Sequence, residues 1–211
     1  YIRVIIAELA RIQSHLLAMG ALVMDIGAVT PFLWAIRERE KILDLYDIIC
    51  GARFTTSYTR IGGVAQDVTD EALNGIKQFL DEFIANLDDM RNLVERNKIF
   101  IVRCEGIGYL PKERCIELGL TGPLIRACGI ERDLRRCEPY LVYDKLDFRV
   151  PTYNDSDCLA RYYVRVEELV ESVKIIRQCL EKIPSGPHNA LQSKKVLPKK
   201  DRVYTKMEEL I

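Results

Sequence analysis

The sequence predicts a mainly α protein built as a bundle of long helices. Three observations carry this. Four segments place apolar residues at steps of three and four, the repeat of one helical face. Residues that stop or start helices stand at the joints between those segments. No segment alternates apolar and polar residues for long enough to be claimed as a strand. Long amphipathic helices joined by short connections pack as antiparallel neighbours in a bundle.

The first helix is expected over 2–26, with Ile5, Leu9, Ile12, Leu16, Met19 and Val23 on its stripe, and Gly27 as its stop. Thr30 and Pro31 read as N-cap and first helical residue of a second helix over 31–50, closed by Gly51. Phe32, Leu33, Ile36, Leu43, Tyr46 and Ile49 form its apolar set, and Arg37 to Lys41 its most polar turn. A third helix is expected over 70–97. Thr69 precedes it, Asp70 and Glu71 suit the dipole of its first turn, and Ile76, Phe79, Leu80, Phe83, Leu87, Met90 and Val94 carry its stripe. Short helical elements are expected at 111–118 and between Gly122 and Cys128, followed by an irregular stretch over 130–157. The fourth long helix runs 159–183, ended by Pro184, Ser185 and Gly186. Residues 1–183 therefore form the bundle domain. The remainder, 184–211, reads as a loop with three prolines and five Lys or Arg up to residue 202, then the start of a further helix from Tyr204.

The 211 residues suit one domain or one large piece of a domain, and the start at Tyr1 without a methionine reads as a fragment of something longer. A hydrophobic share of 48% and a charged share of 29% are ordinary for a soluble globular chain. Formal net charge is zero, so nothing supports a nucleic-acid partner. The longest stretch free of Asp, Glu, Lys and Arg lies between Arg11 and Asp25 and falls short of the about 20 apolar residues that span a bilayer. Membrane contact is expected to be peripheral or through partners. Seven cysteines lie at irregular spacings with no C-x-x-C pair, which fits reduced, mostly buried thiols and no zinc site.

Two groups of residues could carry chemistry. Between the second and third helices, Arg53 and Arg60 flank Thr55 and precede the Gly62–Gly63 pair. Two glycines allow positive φ and close approach of another group, and the arginines stay charged at any working pH. Such a segment is either a tight turn with solvated arginines or a face for an anion or a redox centre that gains negative charge. The residues alone favour the turn. On the first helix, Glu8, Arg11 and His15 stand one turn apart each, either as a surface ion pair or as a polar strip buried against a partner. Arg161, Arg165 and Glu168 repeat this pattern, and Arg132, Arg135 and Arg136 cluster with Asp133 and Glu138, as a solvated face or an internal network. A di-iron bundle needs Glu-x-x-His on two helices, and neither His15 nor His188 follows a Glu by three. No nucleophile elbow, P-loop, dinucleotide fingerprint or zincin motif is present. No catalytic residue, metal ligand or cofactor contact is assigned to the chain.

The ordered runs resemble one family. They include Glu8 to His15, Asp25 to Ala28, Thr30 to Phe32, Glu38 to Glu40, Gly51 to Arg53, Arg60 to Val64, and Gln66 with Asp67. They continue through Gly119, Thr121, Gly122, Arg126, Gly129, Asp133 to Arg135, Pro139 with Tyr140, Tyr143 with Asp144, Asp157 with Cys158, Arg161, and Arg165 to Glu168. The chain resembles the 49 kDa subunit of respiratory complex I, the proton-pumping NADH:quinone oxidoreductase, and specifically its central part. The resemblance implies a fold related to the large subunit of nickel–iron hydrogenases without their metal-binding cysteines. It also implies a place at the base of the peripheral arm, on the cytoplasmic face of the plasma membrane or the mitochondrial matrix face. Further, it implies packing against the small subunit that carries the last iron–sulfur cluster, with quinone bound between the two. FMN, NADH and the clusters would belong to the assembled complex. Arg53, Thr55, Arg60, Gly62 and Gly63 would lie near the partner's cluster. The family's quinone-head histidine and tyrosine belong to an N-terminal region outside these residues. Many members carry histidine at the position of Thr55, linked to a pH-dependent cluster potential. Threonine there calls redox-linked proton uptake into question and suggests a lower-potential quinone. The rival readings are a related membrane-bound dehydrogenase fed by deazaflavin or ferredoxin, and a purely structural helical scaffold.

Overall fold

The computed structural model describes residues 1–190, 198 and 200–210. Four long helices dominate: α1 (Ile2–Asp25), α2 (Val29–Cys50), α3 (Asp70–Glu95) and, after shorter pieces, α8 (Cys158–Lys182). Between α2 and α3 lies a small antiparallel hairpin, β1 (Thr59–Arg60) and β2 (Gly63–Val64). The chain from 98 to 157 carries α4 (Lys98–Cys104), α5 (Lys112–Glu117), α6 (Pro123–Arg126), α7 (Leu134–Cys137) and a 3₁₀ turn at Tyr143–Lys145. Short helices α9 (Lys200–Thr205) and α10 (Met207–Leu210) follow.

Side-chain pairs show neighbouring long helices running in opposite directions. Tyr46 on α2 donates to the Ile6 carbonyl of α1 at 2.9 Å, while Gly20, further along α1, faces Phe32 and Ala35 near the start of α2. A Cβ on Gly20 would sit 3.1 Å from the Phe32 ring, so this glycine lets α1 and α2 approach closely. Lys41 and Leu45 of α2 meet Glu82 and Gly75 of α3 in reversed order. Glu8 and His15 of α1 meet Ser172 and Glu168 of α8, again reversed. The stripes of α1 and α3 form the centre of one core, with Leu9, Ile12, Leu16, Phe83, Leu169 and Ile176 fully buried. α1 is long and apolar enough to cross a membrane by length and composition, yet 56% of its most apolar window is buried inside the bundle.

The structure corrects several sequence expectations. The 59–64 segment forms strands, because a two-residue turn at Ile61 and Gly62, with Gly62 at φ 86°, lets Thr59 pair with Val64 and Arg60 with Gly63. α2 starts at Val29 with Ala28 before it, so Thr30 and Pro31 occupy the first turn instead of capping it. Pro31 fits there because amides of a first turn lack intrahelical partners in any case. The buried face of α2 is Pro31, Ala35, Glu38, Ile42, Leu45, Tyr46 and Ile49, and Leu33 is 58% exposed. Glu38 lies within the turn expected to be most polar, yet it is buried and paired with Arg37 and Lys41. α3 ends at Glu95 because Asn97 caps the next helix, accepting from the Ile99 amide. The irregular 130–157 stretch contains α7 and the 3₁₀ turn, since Asp133 caps α7. A helix begins at Lys200, ahead of the expected Tyr204, and Ile211 lies outside the described residues.

Candidate functional site

The loop after α2 begins where Gly51 closes that helix in the left-handed region, φ 71°. Two hydrogen bonds anchor it. The Tyr58 hydroxyl donates to the Gln66 carbonyl at 2.9 Å, and the Gln66 amide donates to the Ile49 carbonyl at 2.8 Å. Between those anchors Arg53, Phe54, Thr55, Arg60, Ile61 and Gly62 are exposed, with Ile61 at the hairpin tip 73% exposed. The five sequence-derived residues all lie in the segment between α2 and α3, where the two arginines take different roles. Arg53 folds back onto α2 and pairs with Glu40 and Asp44. Arg60 reaches only the Ser57 carbonyl, at 3.2 Å, and among the described residues makes no ion pair. Thr55 stands at φ 49°, a left-handed conformation that costs a β-branched residue on the order of 1–3 kcal/mol. Nothing in the residue order announced that strain.

Gly63 serves close approach, as its residue type suggested, but the neighbour is this chain's own backbone. The Val64 amide donates to the His188 carbonyl and the Ala190 amide to the Gly62 carbonyl, at 3.2 and 2.9 Å. At φ 154°, a Cβ on Gly63 would stand 2.4 Å from the His188 carbonyl oxygen. Gly63→Ala should therefore part the hairpin from residues 188–190, at a cost on the order of 1–3 kcal/mol. Hydrogen exchange should speed up at Val64 and Ala190 together and leave α1 unchanged.

The second site is internal. Glu8, fully buried on α1, accepts from Arg135 at 3.0 and 3.1 Å, from the Tyr143 hydroxyl at 2.6 Å and from Ser172 at 2.7 Å. The rest of the Arg135 guanidinium forks onto Asp133, with Nη2 to Oδ2 at 2.7 Å, and lies 4.8 Å from the Phe148 ring centre. Burial alone would raise the Asp133 carboxyl, but Arg135 overrides it and holds the pKa at about 2. One turn along α1 from Arg11, His15 Nε2 lies 2.5 Å from Glu168, whose other oxygen accepts from Arg126 at 2.6 Å. Arg11 is only partly buried, and its Nε is 3.4 Å from Glu8. With Arg126, Arg132, Arg135 and Tyr140 it lines a cleft of about 330 Å³. Glu8 and His15 thus lie inside this chain and not on a surface ion pair. Arg126, Tyr143 and Ser172 complete the arrangement. Reading Ser172 and Tyr143 as partners of Glu8 had no sequence signal, because they lie 164 and 135 residues away.

The pH behaviour of this pair has a definite sign. Burial lowers the His15 pKa and the Glu168 contact does not fully restore it, so the ring is neutral and donates to the carboxylate. Burial opposes ionisation of Glu168 too, but His15 and Arg126 overcome it and leave its pKa below the ordinary value. As pH falls through 6.5, the unfolded chain takes up a proton at His15 that the folded chain resists. Stability should therefore fall on acidification, by at most about 1.4 kcal/mol per pH unit from this group. The loss from Glu168 begins lower, as pH drops below 4.5. Denaturation curves between pH 7 and 5 should show a shallower decline in His15→Gln than in the parent.

Among the described residues, no group of three or more His, Cys, Asp and Glu side chains is placed to hold a metal ion. The fold and its sites define a helical-bundle protein, stitched by buried ions and projecting one tethered hairpin. Residues 25–211 match the family described as respiratory-chain NADH dehydrogenase, 49 Kd subunit. The whole chain is 51% identical to an NADH-quinone oxidoreductase subunit of Chloroherpeton thalassium, covering 48% of that protein. It is 49% identical to the corresponding NADH-quinone oxidoreductase subunit of Methylacidiphilum infernorum and 46% identical to that of Salinibacter ruber, covering 50% and 47% of them. The chain belongs to the 49 kDa subunit family of the respiratory-chain NADH dehydrogenase. It spans about half the length of these curated relatives.

Proposed function

We propose that this chain is the central helical part of a subunit that docks the small iron–sulfur subunit and helps form the quinone site of an NADH:quinone oxidoreductase. The observation that carries the reading is close identity, along the whole chain, to relatives named for that activity. Electrons would pass from NADH through FMN and iron–sulfur clusters in other subunits to the partner's last cluster and on to quinone. In this reading, residues 1–183 supply the rigid bundle, and residues 188–190 brace the hairpin. The subunit sits peripherally on the cytoplasmic face of the plasma membrane, or on the matrix face in a mitochondrion.

The hairpin is the surface offered to the cluster-bearing partner. Exposed Ile61 at its tip and Phe54 in the loop before it supply apolar contact, and Arg60 carries charge that no acid of the described residues neutralises. A positive charge beside a cluster favours its reduced, more negative state, and the effect grows where water is excluded. Arg60→Met, and Arg53→Met, should therefore lower the cluster's midpoint potential and slow quinone reduction. Arg53→Met should do so through the Glu40 and Asp44 charges it leaves unpaired. Thr55→His relaxes the left-handed residue, since histidine tolerates that conformation better than threonine. It also adds a group titrating near neutral pH. The potential should then fall as pH rises through the histidine's pKa, because the proton is held more tightly when the cluster is reduced. Redox titration by electron paramagnetic resonance, in the assembled complex and over several pH values, reads both effects. Unchanged potential and pH slope in all three variants, with assembly intact, would remove the hairpin from the cluster's surroundings.

A further inference from the structure

We propose that Cys115 and Cys128 are an oxidisable pair, which closes to a disulfide latch across the segment between α5 and the end of α6. Their sulfurs lie 3.1 Å apart. That is closer than the about 3.5–4.0 Å at which non-bonded carbon atoms rest, and about 1 Å longer than a disulfide bond of about 2.05 Å. Among the described residues, no other two cysteines bring their sulfurs into contact.

The surroundings aim the two thiols at each other. Both belong to a small apolar cluster with Ile125, separate from the main core and walled by Leu110, Leu120 and Ile130. Both sulfurs face the Leu110 carbonyl, at 3.8 Å from Cys115 and 3.4 Å from Cys128. The loop between them turns at Gly119 and Gly122, both at positive φ, which folds α5 back over α6. The latch would act on the ion network. Arg126 lies two residues before Cys128, and its guanidinium holds Glu168. The Arg126 and Ala127 carbonyls accept from the Tyr153 and Ser156 amides. Closing the pair therefore pins α5 onto the turn that delivers Arg126 to the bundle.

The chemistry balances with a peroxide as oxidant. One thiolate attacks a peroxide oxygen, giving a sulfenic acid and water. The second thiol then attacks that sulfur, forming the S–S bond and releasing a second water. Burial and the neighbouring thiol push Cys115 up to about 11, so thiolate is scarce and closure is slow. Access comes through α5, six residues long and exposed apart from Cys115 itself. These properties suit a lasting latch and not a rapid sensor.

The test treats the full-length protein with hydrogen peroxide, alkylates it without reduction and digests it with trypsin. The sequence places Cys115 and Cys128 in separate peptides, 115–126 and 127–132. The expected product joins these two peptides with the loss of two hydrogens, and dithiothreitol releases them. Local opening that separates the cysteines should become about 100-fold rarer in the oxidised protein, read as slower amide exchange over 112–128. Cys128→Ser should leave Cys115 as an alkylatable thiol, and Cys115→Ser should do the same for Cys128. The proposal fails if both cysteines are alkylated singly or run on to sulfinic acid while the joined peptide is absent. It also fails if Cys115 cross-links elsewhere as readily in Cys128→Ser.

Discussion

Arg135→Met should destabilise the protein by about 3–5 kcal/mol, because it strands two buried carboxylates at once. Glu8 would keep the hydroxyls of Tyr143 and Ser172 and the partly exposed Arg11 at 3.4 Å, and Asp133 would keep the amide of residue 135. Methionine preserves much of the volume beside Phe148, so the loss reports charge more than packing. Glu8→Gln alone should cost less, since the amide oxygen still accepts from Arg135 and the Tyr143 hydroxyl, and the amide nitrogen can donate to the Ser172 hydroxyl oxygen. The double variant Glu8→Gln with Arg135→Met should fall short of the sum of the singles by on the order of 0.5–3 kcal/mol. Urea denaturation of the four proteins measures this coupling. Strict additivity would mean that the two side chains do not act as one unit in solution.

Phe83→Ala should cost about 3–5 kcal/mol and lower the melting temperature by about 10 °C. Phe83 is fully buried on α3, and its ring centre lies 5.2 Å from that of Phe79. Removing it leaves a void in the middle of the main core, where α1, α2, α3 and α8 all contribute and none can shift alone. Phe83→Leu should recover most of the loss. Calorimetry on the three proteins gives the ranking, and a loss below about 1 kcal/mol in Phe83→Ala would show that the core relaxes into the space.

The stripes that predicted the bundle were legible because burial and periodicity coincide on α1 and α3. Leu9, Ile12 and Leu16 lie inside where the step of three and four places them, as do Phe79, Phe83 and Leu87. On α2 the expected set holds at Tyr46 and Ile49 but takes in exposed Leu33 and misses Ala35, Ile42 and Leu45, because the buried side also contains Glu38 and a charge in a stripe hides the stripe. The hairpin escaped because two residues per strand are too few for alternation to register. Of the internal site, the spacing of Glu8, Arg11 and His15 marked one edge of a helix, and Arg126, Arg135 and Glu168 were visible as charges. Their pairing was not visible, since His15 and Glu168 are 153 residues apart and Glu8 and Arg135 are 127 apart. Local sequence records which groups need partners and carries nothing about which distant groups meet them.

The bond from Ser172 to Glu8 spans 164 residues and so sets a schedule for synthesis. A ribosome adding about 5–20 residues per second makes Ser172 on the order of 10–30 s after Glu8. Through that interval α1 has left the exit tunnel with its apolar stripe uncovered and its carboxylate still hydrated. Helices α2 and α3 can shield part of the stripe as they emerge, but Glu8 cannot be withdrawn from water before Arg135 and Ser172 arrive. α1 is thus among the last helices of the bundle to be sealed. The nascent chain is most open to holding chaperones, and to pairing with the wrong helix, in the window that ends when α8 clears the ribosome.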